Sequence, residues 1–289
     1  MKAPAFDYTR PGSVAEAVGL LARHGDGAKL IAGGQSLVPA LNLRLLAPDI
    51  LIDLGGLGEL SGIAVEDGVL RLGAMTRHSE LERSEAVARH APLLRRAIAH
   101  VAHPAIRNRG TLGGNVANAD PASELPACLV ALEATIVVEG PDGIRRIPAE
   151  GFVTGVYETA LEPTEMIVAV EVPLARGDER VSFAELSRRS GDYALVGLAA
   201  RASVAAGRMA APRLVFFAVG GGPVLARAAA AALDGQVPDE AVIEAAAAAL
   251  ADDLDPEADL QVTAATRLYL ARVLLRRAVA ELAGAEASR

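Results

Sequence analysis

Apolar positions recur along this chain with two periods, and the switches between them mark its elements. Ser13-Val14-Ala15-Glu16-Ala17-Val18 opens a helix with a capping-box pattern, Ser13 to Glu16, that runs to about His24 and stops at Gly25. Lys29 to Ala32 predicts a short strand, Leu37 to Leu46 a helix despite Pro39 near its start, and Asp49 to Leu54 a second strand closed by Gly55-Gly56. From Ile63 the pattern changes. Ile63 to Val65 and Val69 to Leu72 predict a hairpin around Glu66-Asp67-Gly68. Thr76 is expected to cap a helix over His78 to Arg83, and Pro92 to Val101 forms another helical run. His103 to Asp120 reads as a long, polar, glycine-bearing loop, followed by a helix from about Ser123 to Leu132.

Strands are then predicted over Ala134 to Glu139, Arg145 to Pro148 and Glu165 to Val172. The polar, turn-like stretch Pro173 to Asp178 places a boundary there. Beyond it come three strand-like runs, Val181 to Arg188, Val196 to Val204 and Arg213 to Val219. The Ala-rich last third carries amphipathic helices over Asp239 to Leu250 and Val262 to Leu282. The expected division is 1–55, 56–176 and 177–289.

Composition narrows the function classes. With 289 residues the chain can bury two domain-sized cores. A net charge of −8 argues against a nucleic-acid backbone as partner, and 3% aromatic content without Trp argues against base-stacking platforms. One local basic cluster, Arg107-Asn108-Arg109, stands out. The polar start Met1 to Arg10 is no signal peptide, and no apolar run reaches the ~18–20 residues of a membrane span, so a cytoplasmic protein is expected. The single cysteine, Cys128, sits in an apolar helical pattern and reads as a buried thiol; one cysteine cannot build an iron–sulfur or Cys-based zinc site. The five histidines show no metal-ligand spacing, so no metal site is expected.

Candidate chemistry concentrates in two loops. Ala32-Gly33-Gly34-Gln35-Ser36 follows a strand, and Thr111-Leu112-Gly113-Gly114-Asn115 comes about eighty residues later. Each sets Gly-Gly beside small hydroxyl or amide side chains. Glycine lets backbone N–H groups converge on an anion with no Cβ in the way, so the two loops could clasp a pyrophosphate, with a phosphate filling the space a Cβ would need at Gly33 and Gly34. A single Gly-Gly is more often a turn; two of them balance the readings. Gly56-Leu57-Gly58 follows a strand but has Ser61 where a dinucleotide fingerprint needs its third glycine. Asp120 and Glu124 flank Ser123, where helix capping is the plain reading, and His103 is either a ligand-lining or an ordinary loop residue.

The run IRNRGTLGGNVANADPASELP, Ile106 to Pro126, closely resembles the FAD-binding medium subunit of the molybdenum hydroxylases, the xanthine dehydrogenase and aerobic carbon monoxide dehydrogenase family. Lys29 to Leu54, the opening Pro4 to Tyr8, the segment Arg188-Arg189-Ser190-Gly191-Asp192-Tyr193-Ala194 and the final helix Tyr269 to Ala278 resemble the same family, so the likeness spans essentially the whole chain. It implies an α+β fold: a two-subdomain FAD-binding region of the PCMH/VAO type, then a small C-terminal domain of a three-stranded antiparallel sheet with helices. It also implies non-covalent FAD, its pyrophosphate held by Ala32, Gly33, Gly34, Gln35 and Ser36 and by Thr111, Leu112, Gly113, Gly114 and Asn115. Lys29, Leu30 and Ile31 would line the approach, Glu124 would contact the cofactor, and Tyr193 would lie near the isoalloxazine, its alternative being packing in a turn.

The implied function is electron transfer to an external acceptor, with molybdopterin in a large partner subunit and [2Fe-2S] clusters in a small one. No catalytic side chain is required of this chain. Two departures from the family pattern, Ala102 where relatives commonly have Gly and Glu185 where some have Lys, lie outside the pyrophosphate loops and bear on the flavin-ring environment and its redox tuning. A stand-alone FAD oxidoreductase, a non-enzymatic assembly subunit and a nucleotide-binding regulator are the alternatives.

Overall fold

A computed structural model describes residues 2–189 and 191–284. Among the described residues three larger sheets and their helices alternate in layers, with one two-stranded hairpin besides. In the first sheet β1 (Asp7–Thr9) and β2 (Ala28–Ile31) flank β3 (Ile50–Asp53), all parallel. Helix α1 (Val14–His24) covers it. Its start follows the capping pattern: Ser13 Oγ accepts from the Glu16 N–H at 3.2 Å, and the Glu16 carboxylate reaches back to the Gly12 N–H at 2.7 Å. Gly25, at φ +52°, stops it. Helix α2 (Leu37–Asn42) is shorter than its sequence pattern. Arg44 turns left-handed at φ +58°, and Leu43, Leu45 and Leu46 face outward rather than continuing a buried stripe.

The second sheet is antiparallel, built from β4 (Ile63–Glu66), β5 (Val69–Gly73), β6 (Thr135–Gly140), β7 (Gly143–Pro148) and, after the small hairpin β8 (Val153–Gly155) and β9 (Glu158–Thr159), β10 (Met166–Pro173). Its order is β4-β5-β10-β6-β7. Alternation splits the strands between two cores. Ile136, Val138, Ile167 and Val170 face helices, whereas Val137, Met166, Val168 and Ala169 close the core under the first sheet and α1.

The helical layer holds α3 (His78–Arg83), α4 (Glu85–His90), α5 (Pro92–Ile98), α6 (Pro104–Arg107), α7 (Leu112–Asn118) and α8 (Glu124–Ala131). The stretch expected to be one long loop thus contains two short helices. Pro104 starts α6 from its first position, and Thr111 Oγ1 caps α7 by accepting from the Gly114 N–H at 3.2 Å. Thr76 does not cap α3. It is buried, and its Oγ1 bonds the N–H and carbonyl of Gly62, each at 3.0 Å.

The third sheet runs β11 (Glu179–Ser187), β12 (Ala194–Ala205), β13 (Arg208–Phe217) and β14 (Val224–Leu225), antiparallel. Three long strands match expectation; the two-residue β14 is a fourth, too short to leave a periodic signal. Successive residues of β13 face opposite cores: Leu214 and Phe216 pack under α9 (Arg227–Leu233), α10 (Glu240–Asp253) and α11 (Ala264–Ala283), and Val215 and Phe217 pack on α5 and α8. Burying each such side chain contributes about 1.5–3 kcal/mol. Among the described residues no helix is long and apolar enough to cross a membrane.

Candidate functional site

Two loops meet where the first sheet abuts the second. The chain leaves β2 at Ile31 and turns through Ala32 to Ser36 into α2. Gly33 lies so close to the other loop that a Cβ there would sit 2.2 Å from the Arg109 carbonyl oxygen and 2.9 Å from Gly110 Cα. A Cβ on Gly114 would meet Thr111 Oγ1 at 2.8 Å and Ala32 Cβ at 3.5 Å, and one on Gly113 would meet Ala74 Cβ at 2.6 Å. The expectation that a phosphate fills the Cβ space at Gly33 is therefore corrected: the Arg109 carbonyl and Gly110 do, and at Gly113 and Gly114 too the space is taken by the chain. Gly34 is different. Its φ of +72° demands glycine for backbone reasons, and a Cβ would press on Val38 Cγ2 at 3.2 Å.

The loops also differ in what their N–H groups do. In the second, Leu112 donates to Thr76 O at 3.0 Å, Gly113 to Ala74 O at 2.8 Å, Gly114 to Thr111 Oγ1 and Asn115 to Thr111 O at 3.0 Å. In the first, no group among the described residues accepts from the N–H groups of Gly33, Gly34, Gln35, Ser36 and Leu37. Gln35 folds back, its Nε2 donating to Gly33 O at 2.9 Å, and Val38 donates to Gly34 O at 3.0 Å. A run of half-buried, uncommitted donors at the start of a helix is suited to an anion. Asn115 Oδ1 accepts from Ser123 Oγ at 2.8 Å, which leaves its amide N–H groups without an acceptor among the described residues.

Lys29 is exposed, and Leu30 and Ile31 are half-buried on the same strand, so all three lead up to the first loop. Glu124, the first residue of α8, follows Ser123 and is tied through it to the second loop. Burial, reinforced by the charges of Glu185 and Asp120, pushes its carboxyl up to about 7. Asp120 accepts from the Ala122 N–H at 2.9 Å and the Tyr157 hydroxyl at 3.2 Å. Tyr193 is 70% exposed and lies within electrostatic reach of Asp120 and Glu124. Ser190 of the same segment lies outside the described residues.

Sequence reasoning missed two residues that hold this site. His78 is buried; its Nε2 faces Thr111 O at 3.1 Å, and its ring packs on Gly110. A carbonyl only accepts, so Nε2 carries the proton and Nδ1, buried with no partner among the described residues, is the bare nitrogen. Burial pushes the imidazole down to about 4. Arg107, expected in a basic surface cluster, is instead buried. It binds Glu82 at 3.0 Å and the carbonyls of Val101 and Ala102 at 3.1 and 3.2 Å, bracing Ala102 at φ +44°. No local motif marks His78, and Arg107 reads locally as part of a basic cluster, because their partners Thr111 and Glu82 are distant in sequence. Cys128 is fully buried, as its pattern implied. His103 is exposed before α6.

Fold and site together define two apposed glycine-rich loops, the first with backbone N–H groups that no described residue accepts from. Comparison gives the class a family. Residues 4–175 match the FAD binding domain in molybdopterin dehydrogenase, and residues 181–282 match the CO dehydrogenase flavoprotein C-terminal domain. The chain is 38% identical over 282 residues to the 6-hydroxypseudooxynicotine dehydrogenase complex subunit alpha of Paenarthrobacter nicotinovorans, covering 97% of this chain and 95% of that one. Among solved structures it resembles carbon monoxide dehydrogenase from Hydrogenophaga pseudoflava (TM-score 0.95, 38% identity, 99% of each chain). It also resembles quinoline 2-oxidoreductase from Pseudomonas putida 86 (TM-score 0.93, 40% identity, 99% of each chain). The chain belongs to the family of FAD-binding medium subunits of the molybdenum hydroxylases.

Proposed function

We propose that this chain holds FAD against its two glycine loops and passes electrons from [2Fe-2S] clusters of a small partner subunit to an external acceptor. A large partner subunit with the molybdenum cofactor would oxidise the substrate. The carrying observation is the run of backbone N–H groups from Gly33 to Leu37 with no acceptor among the described residues, next to a second loop whose backbone N–H groups from Leu112 to Asn115 are committed. On this reading the first loop supplies the N–H groups that bind the pyrophosphate. The second, Thr111 to Asn115, supplies the Thr111 hydroxyl and the Asn115 amide and fixes the far wall. Lys29, Leu30 and Ile31 border the approach, and Glu124 and Tyr193 border the ring. FAD, when bound, joins one-electron donors to two-electron acceptors.

Residues 1–55 and 56–176 would form the two parts of the binding region, with 177–289 packed behind them. The substrate belongs to the partner: the three relatives are named for different substrates although each is similar to this chain in sequence or structure. Purified chain should carry one FAD, and Gly34→Val should lose it while β11 to α11 stay folded by circular dichroism. The flavin should stay oxidised with any organic substrate until the partners are added. Full FAD in Gly34→Val, or substrate bleaching without partners, would overturn the proposal.

A further inference from the structure

The bridge between α7 and α8, Ala119 to Ser123, is held from outside by two residues in a costly backbone conformation. Tyr157, at φ +58°, donates its N–H to Ala119 O at 3.2 Å. Ala218, at φ +59° just past β13, donates its N–H to Pro121 O at 2.8 Å. Ala119 is itself left-handed, at φ +47°, where it closes α7. A left-handed L residue costs about 1–2 kcal/mol, and such residues persist where their surroundings over-determine them.

Of these residues, Tyr157 is the least expected at its position. It is the second residue of the two-residue turn between β8 and β9, which pair at Gly155 and Glu158. A positive φ at that position favours Gly or Asn. Tyr157 is also 61% exposed, so burial of its ring does not account for it. Its hydroxyl does, by donating to Asp120 Oδ2 at 3.2 Å. Behind the turn the hairpin lies against a glycine run: a Cβ on Gly222 would sit 2.6 Å from Val153 Cγ1, and one on Gly221 would sit 3.5 Å from the Val156 nitrogen.

From Asp120 the contacts continue into the second glycine loop. Asp120 Oδ1 accepts from the Ala122 N–H at 2.9 Å, and the Asp120 carbonyl accepts from the Ser123 N–H at 2.9 Å. Ser123 is buried, and its Oγ donates to Asn115 Oδ1 at 2.8 Å. That bond fixes which end of the Asn115 amide carries its N–H groups, the end that has no acceptor among the described residues.

We propose that Tyr157 is a positioning residue for the pyrophosphate site: from the tip of a separate hairpin it holds the Asp120–Ser123 bridge, and through Ser123 it sets the Asn115 amide. The proposal rests on the FAD reading above. No bond is made or broken in this role; it is one of orientation, and Tyr157 acts only through other residues.

The test uses the full chain with FAD. Tyr157→Phe removes the hydroxyl alone and should weaken FAD binding by about 5–10-fold, the scale of one net hydrogen bond. Ser123→Ala should weaken it similarly, and the double variant should bind no worse than the weaker single, because both act on the same amide. The phosphorus resonances of the bound pyrophosphate should move in the same direction in both singles, a signature that general loosening of the fold would not produce. Parent-like affinity and phosphorus shifts in Tyr157→Phe, or effects that add in the double variant, overturn the role of Tyr157 while FAD binding by the parent chain stands. A parent chain that binds no FAD overturns both readings.

Discussion

His78 and Glu124 have pKa values displaced in opposite directions, and both displacements are stability terms. The folded chain keeps Glu124 protonated to about pH 7, while the unfolded chain releases that proton near the reference value of 4.5. Between these values the native state binds more protons, so this group lowers stability as pH rises. His78 binds its proton near 4 when folded and near 6.5 when unfolded, so its contribution falls as pH falls through that window. Each window is worth up to about 3 kcal/mol, and in the FAD-free chain they nearly cancel between pH 4.5 and 6.5. Removing one group should expose the other: His78→Gln should lose stability from pH 4.5 to 7, and Glu124→Gln from pH 6.5 to 4. Urea titrations at several pH values check this; parallel profiles for both variants would refute it. Ala102 adds a second prediction. Its φ of +44° is costly for an L residue, so Ala102→Gly should raise stability by about 0.5–1 kcal/mol, read as a higher urea midpoint. The glycine pairs were legible in the sequence because their type is local. That Gly33 faces Arg109, or that His78 holds Thr111, was not, because those are pairings between distant segments.

At the scale of elements, legibility follows the source of the signal. Helix α1 was readable at both ends because Ser13, Glu16 and Gly25 act within one turn of the boundary. Helix α7 was not, since Gly113 and Gly114 are poor helix formers and it is packing on Ala74 and the Thr111 cap that hold it. The strands of the third sheet were legible as apolar runs because both faces are buried, each against a different core. Glycine means opposite things in these settings. Gly197 of β12 pairs with Phe217 of β13, whose ring lies across it; a Cβ would sit 2.0 Å from the ring's Cζ. Phe217 is fully buried and stacks on Phe183 at 5.9 Å, so the ring has little room to withdraw. Gly197→Ala should cost about 1–3 kcal/mol. Gly19 of α1 has nothing within 4 Å of a Cβ, so Gly19→Ala should gain about 0.5–1 kcal/mol. Denaturant midpoints moving in the same direction for both variants would contradict this account.

Across the whole molecule, the third sheet is joined to the helical layer by apolar contact and by ions. Phe183, Ala199, Val215 and Phe217 share one core with α5, α8 and the second sheet. At its edge, Arg201 of β12, 10% exposed, binds Glu179 at 2.6 Å and also Glu133, in the turn after α8. Arg213 of β13 reaches Glu150 at 2.8 Å and the Val130 carbonyl at 3.1 Å, and Arg227 joins it at Glu150. These pairs differ in weight. Glu150 and Arg227 are open to solvent, where salt screens them and an ion pair contributes about 0–1 kcal/mol. Glu179 is 6% exposed at its side chain, and without Arg201 its charge would stay buried and unpaired. Arg201→Met should therefore cost about 3–5 kcal/mol, whereas Arg201→Met with Glu179→Leu should recover much of that loss, because apolar residues can replace a buried pair. Arg227→Met should change stability little and lose even that effect in high salt. Urea denaturation of the wild type, these three variants and the Glu179→Leu single at low and high salt distinguishes a buried ionic joint from surface decoration; additive single and double effects would mean that Arg201 and Glu179 act independently.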